Sequence, residues 1–302
     1  MRLPRIGVLI VMFLTVTVDL GFAKNNAELK FAKGVEYAVQ EEFRQAKEEF
    51  EKALKIESFN EKAKEALRVI KGVDEKKLKH KVALCFFKGI AYTEDRHWIE
   101  AIAEFNRAIE LNLRFSEAYN NRGIVYGIKG EYDKAIFDFE RAIEIGPQHA
   151  RPYNSRGVTY NKKGEYDKAI SDFTKAIEIN PRYAKAYYSR GDAYAKKGQY
   201  DQAISDLSKA IEMNPRDAGT YNNRGLAYVK GKRQYAKAIL DFSKAIEIEP
   251  RYADAYRSRG VAYFHVKKYE KAWDDVHKVQ SLKAQVHPDF LKALRQASGR
   301  QK

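Results

Sequence analysis

YNNRG at residues 119–123 returns as YNSRG at 153–157, YYSRG at 187–191, YNNRG at 221–225 and YRSRG at 256–260. The closing glycines stand at 123, 157, 191, 225 and 260, a period of 34 residues with one step of 35. The added residue falls in the turn from Gly231 to Gln234. Gly89 lies one period before Gly123, and Gly34 joins the frame because Ala46 follows it by twelve residues, as Ala101 follows Gly89 and Ala135 follows Gly123. A period of this length marks a supersecondary unit that cannot bury its apolar face alone and stacks on copies of itself.

Each period reads as two amphipathic helices. The first ends in Lys-Gly at 129–130, 163–164 and 197–198. That pattern sets a cation near the negative helix end and leaves a glycine free to take the left-handed cap. The second carries Tyr166, Ala169, Ile170, Phe173, Ala176 and Ile177 at helical spacing. Pro147, Pro181, Pro215 and Pro250 interrupt the pattern, which suits the start of the next helix. Gly123 opposite Ala135 lets two backbones approach, with Tyr126, Tyr132 and Phe139 around them.

These columns resemble the tetratricopeptide repeat (TPR) family. The matching positions are the glycines at 34, 89, 123, 157, 191, 225 and 260, the alanines at 46, 101, 135, 169, 203, 238 and 272, and the four prolines above. Tyr37, Tyr92, Tyr126, Tyr160, Tyr194, Tyr228 and Tyr263 join them. The resemblance covers about 240 residues and is to an exported, bacterial-type member with seven repeats. It implies an all-α fold, a right-handed α-solenoid superhelix of helix-turn-helix pairs, whose concave groove takes partners. It implies no chemistry and no cofactor.

The chain then divides into a leader (1–23), a first repeat at 27–60 within 24–81, six repeats at 82–115, 116–149, 150–183, 184–217, 218–252 and 253–286, and a tail (287–302). Gly34 to Gly89 is 55 residues, and the additional stretch 61–70 reads as a lone helix that covers the first repeat, with a hinge at Gly72–Asp74. After the last repeat, Pro288 starts a short helix whose Phe290, Leu291 and Leu294 cover the final apolar face.

The residue before each glycine is basic: Lys33, Lys88, Arg122, Arg156, Arg190, Arg224 and Arg259. An acidic column follows at Glu49, Glu104, Asp138, Asp172, Asp206, Asp241 and Asp275. An ion-pair ladder inside the stack is expected, because a buried unpaired arginine is costly. An arginine ladder for ligands is the alternative.

In the family, residues just before the glycine and one turn earlier line the groove. Three before it stand Asn120, Asn154, Tyr188, Asn222 and Arg257, and two before it Asn121 and Asn223 recur among serines. One turn earlier, Arg151 and Lys185 favour an acidic segment. Amides offer both a donor and an acceptor to a peptide backbone, and similar asparagine ladders occur in relatives of the O-linked sugar transferases. Tolerated polar surface is the plain alternative. The positions after the glycine are Ile124, Val158, Asp192, Leu226 and Val261, so the family's clamp for a terminal carboxylate is missing its Asn.

Composition narrows the classes. One cysteine, Cys85, excludes a disulfide framework, and the six histidines do not stand at metal-ligand spacing. The 56 Lys+Arg against 41 Asp+Glu give +15, spread along the chain rather than gathered on an arm that would read nucleic acid. No phosphate-binding glycine loop, Gly-x-Ser-x-Gly elbow or His-Glu-x-x-His occurs. The expectation is a non-enzymatic scaffold for a protein or peptide partner in the cell envelope. A binder of anionic envelope polymer is the second reading.

Arg2 and Arg5 precede an apolar run, IGVLIVMFLTVTV at 6–18, too short to span a bilayer, followed by Gly21-Phe-Ala23. Export to the periplasm or medium is expected, with cleavage before Lys24. An uncleaved inner-membrane anchor at 6–18 is the alternative, because Asp19 is unusual at that place. Amino-terminal sequencing of the expressed protein should begin at Lys24, and a chain that retains Met1 would refute the cleavage.

Overall fold

The computed structural model describes residues 26–57 and 60–300, and the expected leader lies outside them. Among the described residues there are sixteen helices and no strand. They are α1 (Asn26–Val39), α2 (Phe43–Ile56), α3 (Glu61–Asp74), α4 (His80–Glu94), α5 (Trp98–Leu111), α6 (Ser116–Ile128), α7 (Tyr132–Ile145) and α8 (Ala150–Lys162). There follow α9 (Tyr166–Ile179), α10 (Ala184–Lys196), α11 (Tyr200–Met213), α12 (Ala218–Lys232), α13 (Tyr235–Ile248), α14 (Ala253–His265), α15 (Tyr269–Ser281) and α16 (Pro288–Ser298). None is long and apolar enough to cross a membrane. The fold is an all-α solenoid of stacked helix pairs.

Packing divides the chain into a unit that ends at Thr159 and one that starts at Tyr160, a boundary inside α8. The expected hinge at Gly72–Asp74 is instead the last turn of α3, with Val73 buried. In the first unit α1 packs on α2, α4 on α5 and α6 on α7, and α5 packs on α6. In the second, α10 packs on α11, α12 on α13 and α14 on α15, each pair joined to the next through its second helix.

The glycine column fixes how closely paired helices approach. A Cβ at residue 123 would lie 2.7 Å from Cε1 of Phe139 and 3.1 Å from the carbonyl oxygen of Ala135. The ring of Phe139 therefore occupies the space that any other side chain would need, and it is 1% exposed. The turn glycines act differently: Gly130, Gly164 and Gly198 sit at φ between +76° and +80°, the left-handed caps that Lys-Gly predicted. Arg233 and Lys267 take the same role at φ +50° and +58°, so the 35-residue repeat lengthens α12 and caps it with arginine.

The prolines differ from expectation. Helices end at Ile145, Ile179, Met213 and Ile248 and resume at Ala150, Ala184, Ala218 and Ala253, so each proline lies in the turn, three residues before the next helix. A residue before proline avoids the helical region, which closes the preceding helix. Pro288 does open α16. Leu294 is fully buried with Phe290 and Leu291 against Trp273 and Val276, and Trp273 Nε1 donates to Ser298 Oγ at 3.1 Å.

Two substitutions one turn apart on α6 separate packing from helix propensity. Gly123→Ala should destabilise by about 1–3 kcal/mol through overpacking against Phe139. Gly127→Ala, whose nearest neighbour would be at 3.7 Å, should be neutral or stabilise by about 0.5 kcal/mol. Urea denaturation of both variants checks the contrast.

Candidate functional site

Four arginines of the column, Arg122, Arg190, Arg224 and Arg259, pair with the aspartates of the facing helices, and Arg156 lies 3.9 Å from Glu140. Arg122 Nε and Nη2 donate to Asp138 at 2.8 and 2.6 Å, and its Nη1 donates to Asn106 Oδ1 at 2.6 Å on the preceding pair's second helix. Arg190 repeats this with Asp206 (2.7 and 2.9 Å) and Thr174 (2.9 Å). Arg224 does so with Asp241 and Ser208, and Arg259 with Asp275 and Ser243. Each guanidinium also lies over tyrosine rings: Arg190 is 5.7 Å from the Tyr187 centroid and 6.0 Å from that of Tyr194. Hydrogen bonding to Asp206 raises the Arg190 guanidinium above its ordinary value, against the effect of burial. These arginines are committed to the stack, so the ligand alternative does not apply to them.

In the first two repeats the ladder gives way. Glu49 pairs with Lys30 (3.5 Å) and Lys52 (2.7 Å), and Glu104 pairs with Arg107 (2.7 Å), rather than with Lys33 and Lys88. Lysine is a point charge without the planar fork that bridges a carboxylate and a neighbouring helix at once.

The amide column was expected to be exposed, and it is not. Asn120 is 1%, Asn154 4% and Asn222 4% exposed. No hydrogen-bond partner reaches either amide atom of Asn120, or Oδ1 of Asn154 and Asn222. A first helix in a stack meets the second helix of its own pair and that of the pair before, so most of its circumference is covered. Buried amides without partners carry a desolvation cost, so their replacement alters stability as well as any binding. Apart from Asn222, the expected groove residues of the second unit are more open. Lys185 and Arg257 are exposed, and Tyr188 and Asn223 are half-buried. Asn223 Nδ2 donates to Tyr188 Oη at 3.0 Å, and Arg257 pairs with Asp254. Burial pushes the Tyr188 phenol up from its ordinary value.

Asn121 and Arg151, both 9% exposed, meet in a way that sequence spacing does not announce. Arg151 Nη2 donates to Asn121 Oδ1 at 3.2 Å, Asn121 Nδ2 donates to Glu65 Oε2 at 3.2 Å, and Arg151 Nη1 pairs with the same carboxylate. Glu65 is 3% exposed and comes from α3, the helix outside the period. Two further side chains of α3 reach first helices: Lys62 pairs with Glu94 of α4 at 3.0 Å, and Arg68 with Glu117 of α6 at 3.8 Å. α3 thus does more than cover the first repeat. Its signal in the sequence was a glutamate beside the apolar stripe Ala63, Ala66, Ile70 and Val73.

Among the described residues no three His, Cys, Asp or Glu side chains are placed to hold a metal ion. Cys85 is buried, and that burial, with Glu104 nearby, raises its thiol.

The fold and columns agree with the comparisons. A family model described as "TPR repeat" matches residues 159–198, 191–231 and 232–266, and two described as "Tetratricopeptide repeat" match 116–149 and 139–171. Together they span half of the chain, which belongs to the tetratricopeptide repeat family. Among solved structures, MamA is similar at TM-score 0.50 and 28% identity, over 53% of this chain and 94% of that one. The Cut9–Hcn1 hetero-tetramer of the APC/C matches at TM-score 0.64 and 19% identity, over 84% of this chain and 52% of that one. Pseudomonas aeruginosa PilF matches at TM-score 0.63 and 14% identity, over 73% and 98%. The latter two show the fold alone. No curated protein matches the sequence.

The ladder makes a direct forecast. Arg190→Leu leaves the Asp206 carboxylate buried (8% exposed) and should cost about 3 kcal/mol. Arg190→Leu with Asp206→Leu should recover most of that loss. A double-mutant cycle by chemical denaturation that shows no coupling would return Arg190 to the ligand contacts.

Proposed function

We propose that the protein is a non-enzymatic scaffold that holds helical or extended segments of a protein partner on its first-helix faces and helps to assemble a cell-envelope complex. The observation that carries this reading is the Glu65 carboxylate seated between Arg151 and Asn121. It supports the first-helix residues as a surface able to hold a helix by its polar side chains, with apolar contact alongside. A TPR fold supports protein–protein interaction, because stacked pairs present a rigid series of similar positions. Acidic residues here recur in register and pair with lysines three residues away, as in Lys168–Glu165 and Lys244–Glu247, which suits a solvated scaffold better than a catalytic pocket. Lys185 and Arg257 supply exposed cations on the second unit for an acidic partner segment.

The test is affinity capture of an envelope partner by the chain beginning at Lys24, compared with the Lys185→Glu, Arg257→Glu variant. Capture should fall by about tenfold while the melting temperature holds, because rim charges govern encounter more than folding. Unchanged capture would place the partner elsewhere. A steep loss of affinity with rising salt in both proteins would favour the anionic polymer instead.

A further inference from the structure

α3 is supernumerary to the stack. It lies outside the period, yet α2 packs on it, while α4 packs on α1 and reaches α2 through the Phe87 ring, 6.0 Å from Phe50 and 6.4 Å from Phe43. Its own helix is well specified locally. Asn60 caps it by accepting from the Ala63 N–H at 2.9 Å, and Ala63, Ala66, Val69, Ile70 and Val73 form one buried stripe. Next to that stripe stands a charged residue that packing alone does not require. An apolar side chain at 65 would avoid the desolvation of a carboxylate, yet Glu65 is enclosed with two buried polar partners contributed by α6 and α8. The outer contacts of α3 are weaker. The Lys62 and Glu94 side chains are 55% and 43% exposed, and Arg68 meets Glu117 at 3.8 Å; such surface pairs contribute little. α3 therefore has a buried apolar stripe of small and medium residues, one buried carboxylate that selects its seat, and a rim held by weak surface pairs.

We propose that α3 is a removable occupant of the first unit's first-helix face, and that an amphipathic acidic helix of a partner replaces it, setting its carboxylate between Arg151 and Asn121 where Glu65 now sits. This rests on the reading of that face as the partner-binding surface and adds what the face selects and how access to it is controlled. A helix tethered in cis competes at an effective concentration on the order of millimolar. Weak acidic helices are thereby excluded, and a partner must match both the stripe and the carboxylate. The Phe43–Phe87 and Phe50–Phe87 contacts do not involve α3, but its stripe belongs to the same core, so the incoming helix must refill that stripe as α3 leaves.

The probe is a labelled synthetic peptide of residues 60–75, added to the full chain. The Glu65→Lys chain, whose own α3 is repelled by Arg151, should bind it at least about tenfold more tightly than the unsubstituted chain, since the cis competitor is weakened. A peptide carrying Glu65→Gln should bind that variant about tenfold more weakly. Equal affinities for both chains, or no binding by a Glu65→Lys chain whose α4 and α5 amides stay protected, would overturn the proposal. If that variant does not fold, hydrogen exchange of the unsubstituted chain decides: α3 amides should exchange at least about tenfold faster than those of α5, and equal rates overturn it. A concentration-dependent dimer formed by exchange of α3 between copies would assign the face to a second copy and overturn the partner. Partner capture through Lys185 and Arg257 is read on the other unit, so its loss with α3 exchange intact would sink the broader function and not this mechanism.

Discussion

The ring of Phe139 stands where a side chain on residue 123 would have to be, and the same holds for Phe50 at Gly34, Phe105 at Gly89 and Phe242 at Gly225. This close approach is the constraint from which the rest follows. It sets the distance between paired helices and encloses an aromatic ring at nearly zero exposure. It also leaves the arginine before the glycine within bidentate reach of the aspartate on the facing helix. Leu207 takes the ring's place at Gly191, which shows that the space matters more than aromaticity.

The ladder follows from that approach. An arginine fork spans an aspartate on its own pair and a small polar residue on the pair before it, so one side chain links three helices. Tyrosine rings over the guanidinium shield part of the pair, and the arginine side chains keep 16–19% of their surface. Asn106, Thr174, Ser208 and Ser243 supply the accepting oxygen on the pair before. The ladder is thus part of the stacking interface, and the surface left for partners is smaller than the abundance of polar residues on the first helices suggests.

Within the first unit the face is already taken. Glu65 brings a carboxylate to Arg151 and Asn121, residues that sequence spacing had marked for a peptide without indicating that the chain would supply one itself. The scaffold reading and the in-cis helix fit together: a rigid repeat array offers similar seats along its length, and one segment outside the period fills the first of them. The second unit carries Lys185 and Arg257 at the surface, and its own helix outside the period, α16, packs on Trp273 and Val276 of the last pair.

The sequence by itself determined the repeat, the helix pairs, the left-handed caps at Gly130, Gly164 and Gly198, the closing helix from Pro288 and the pairing of the arginine and aspartate columns. Each of these depends on residues a fixed distance apart within one repeat or between neighbours, and a period exposes such distances directly. Only the tertiary structure decided which first-helix positions are wet. Helical periodicity assumes one covered face, whereas a stacked first helix is covered on several sides, so Asn120, Asn154 and Asn222 lie buried where spacing alone had put them in solvent. The seat of Glu65 was equally out of reach, because 86 residues and no shared column separate it from Arg151. Contacts made by a segment outside the period are set by how the stack curves past it, and no residue pattern in the chain encodes that geometry locally.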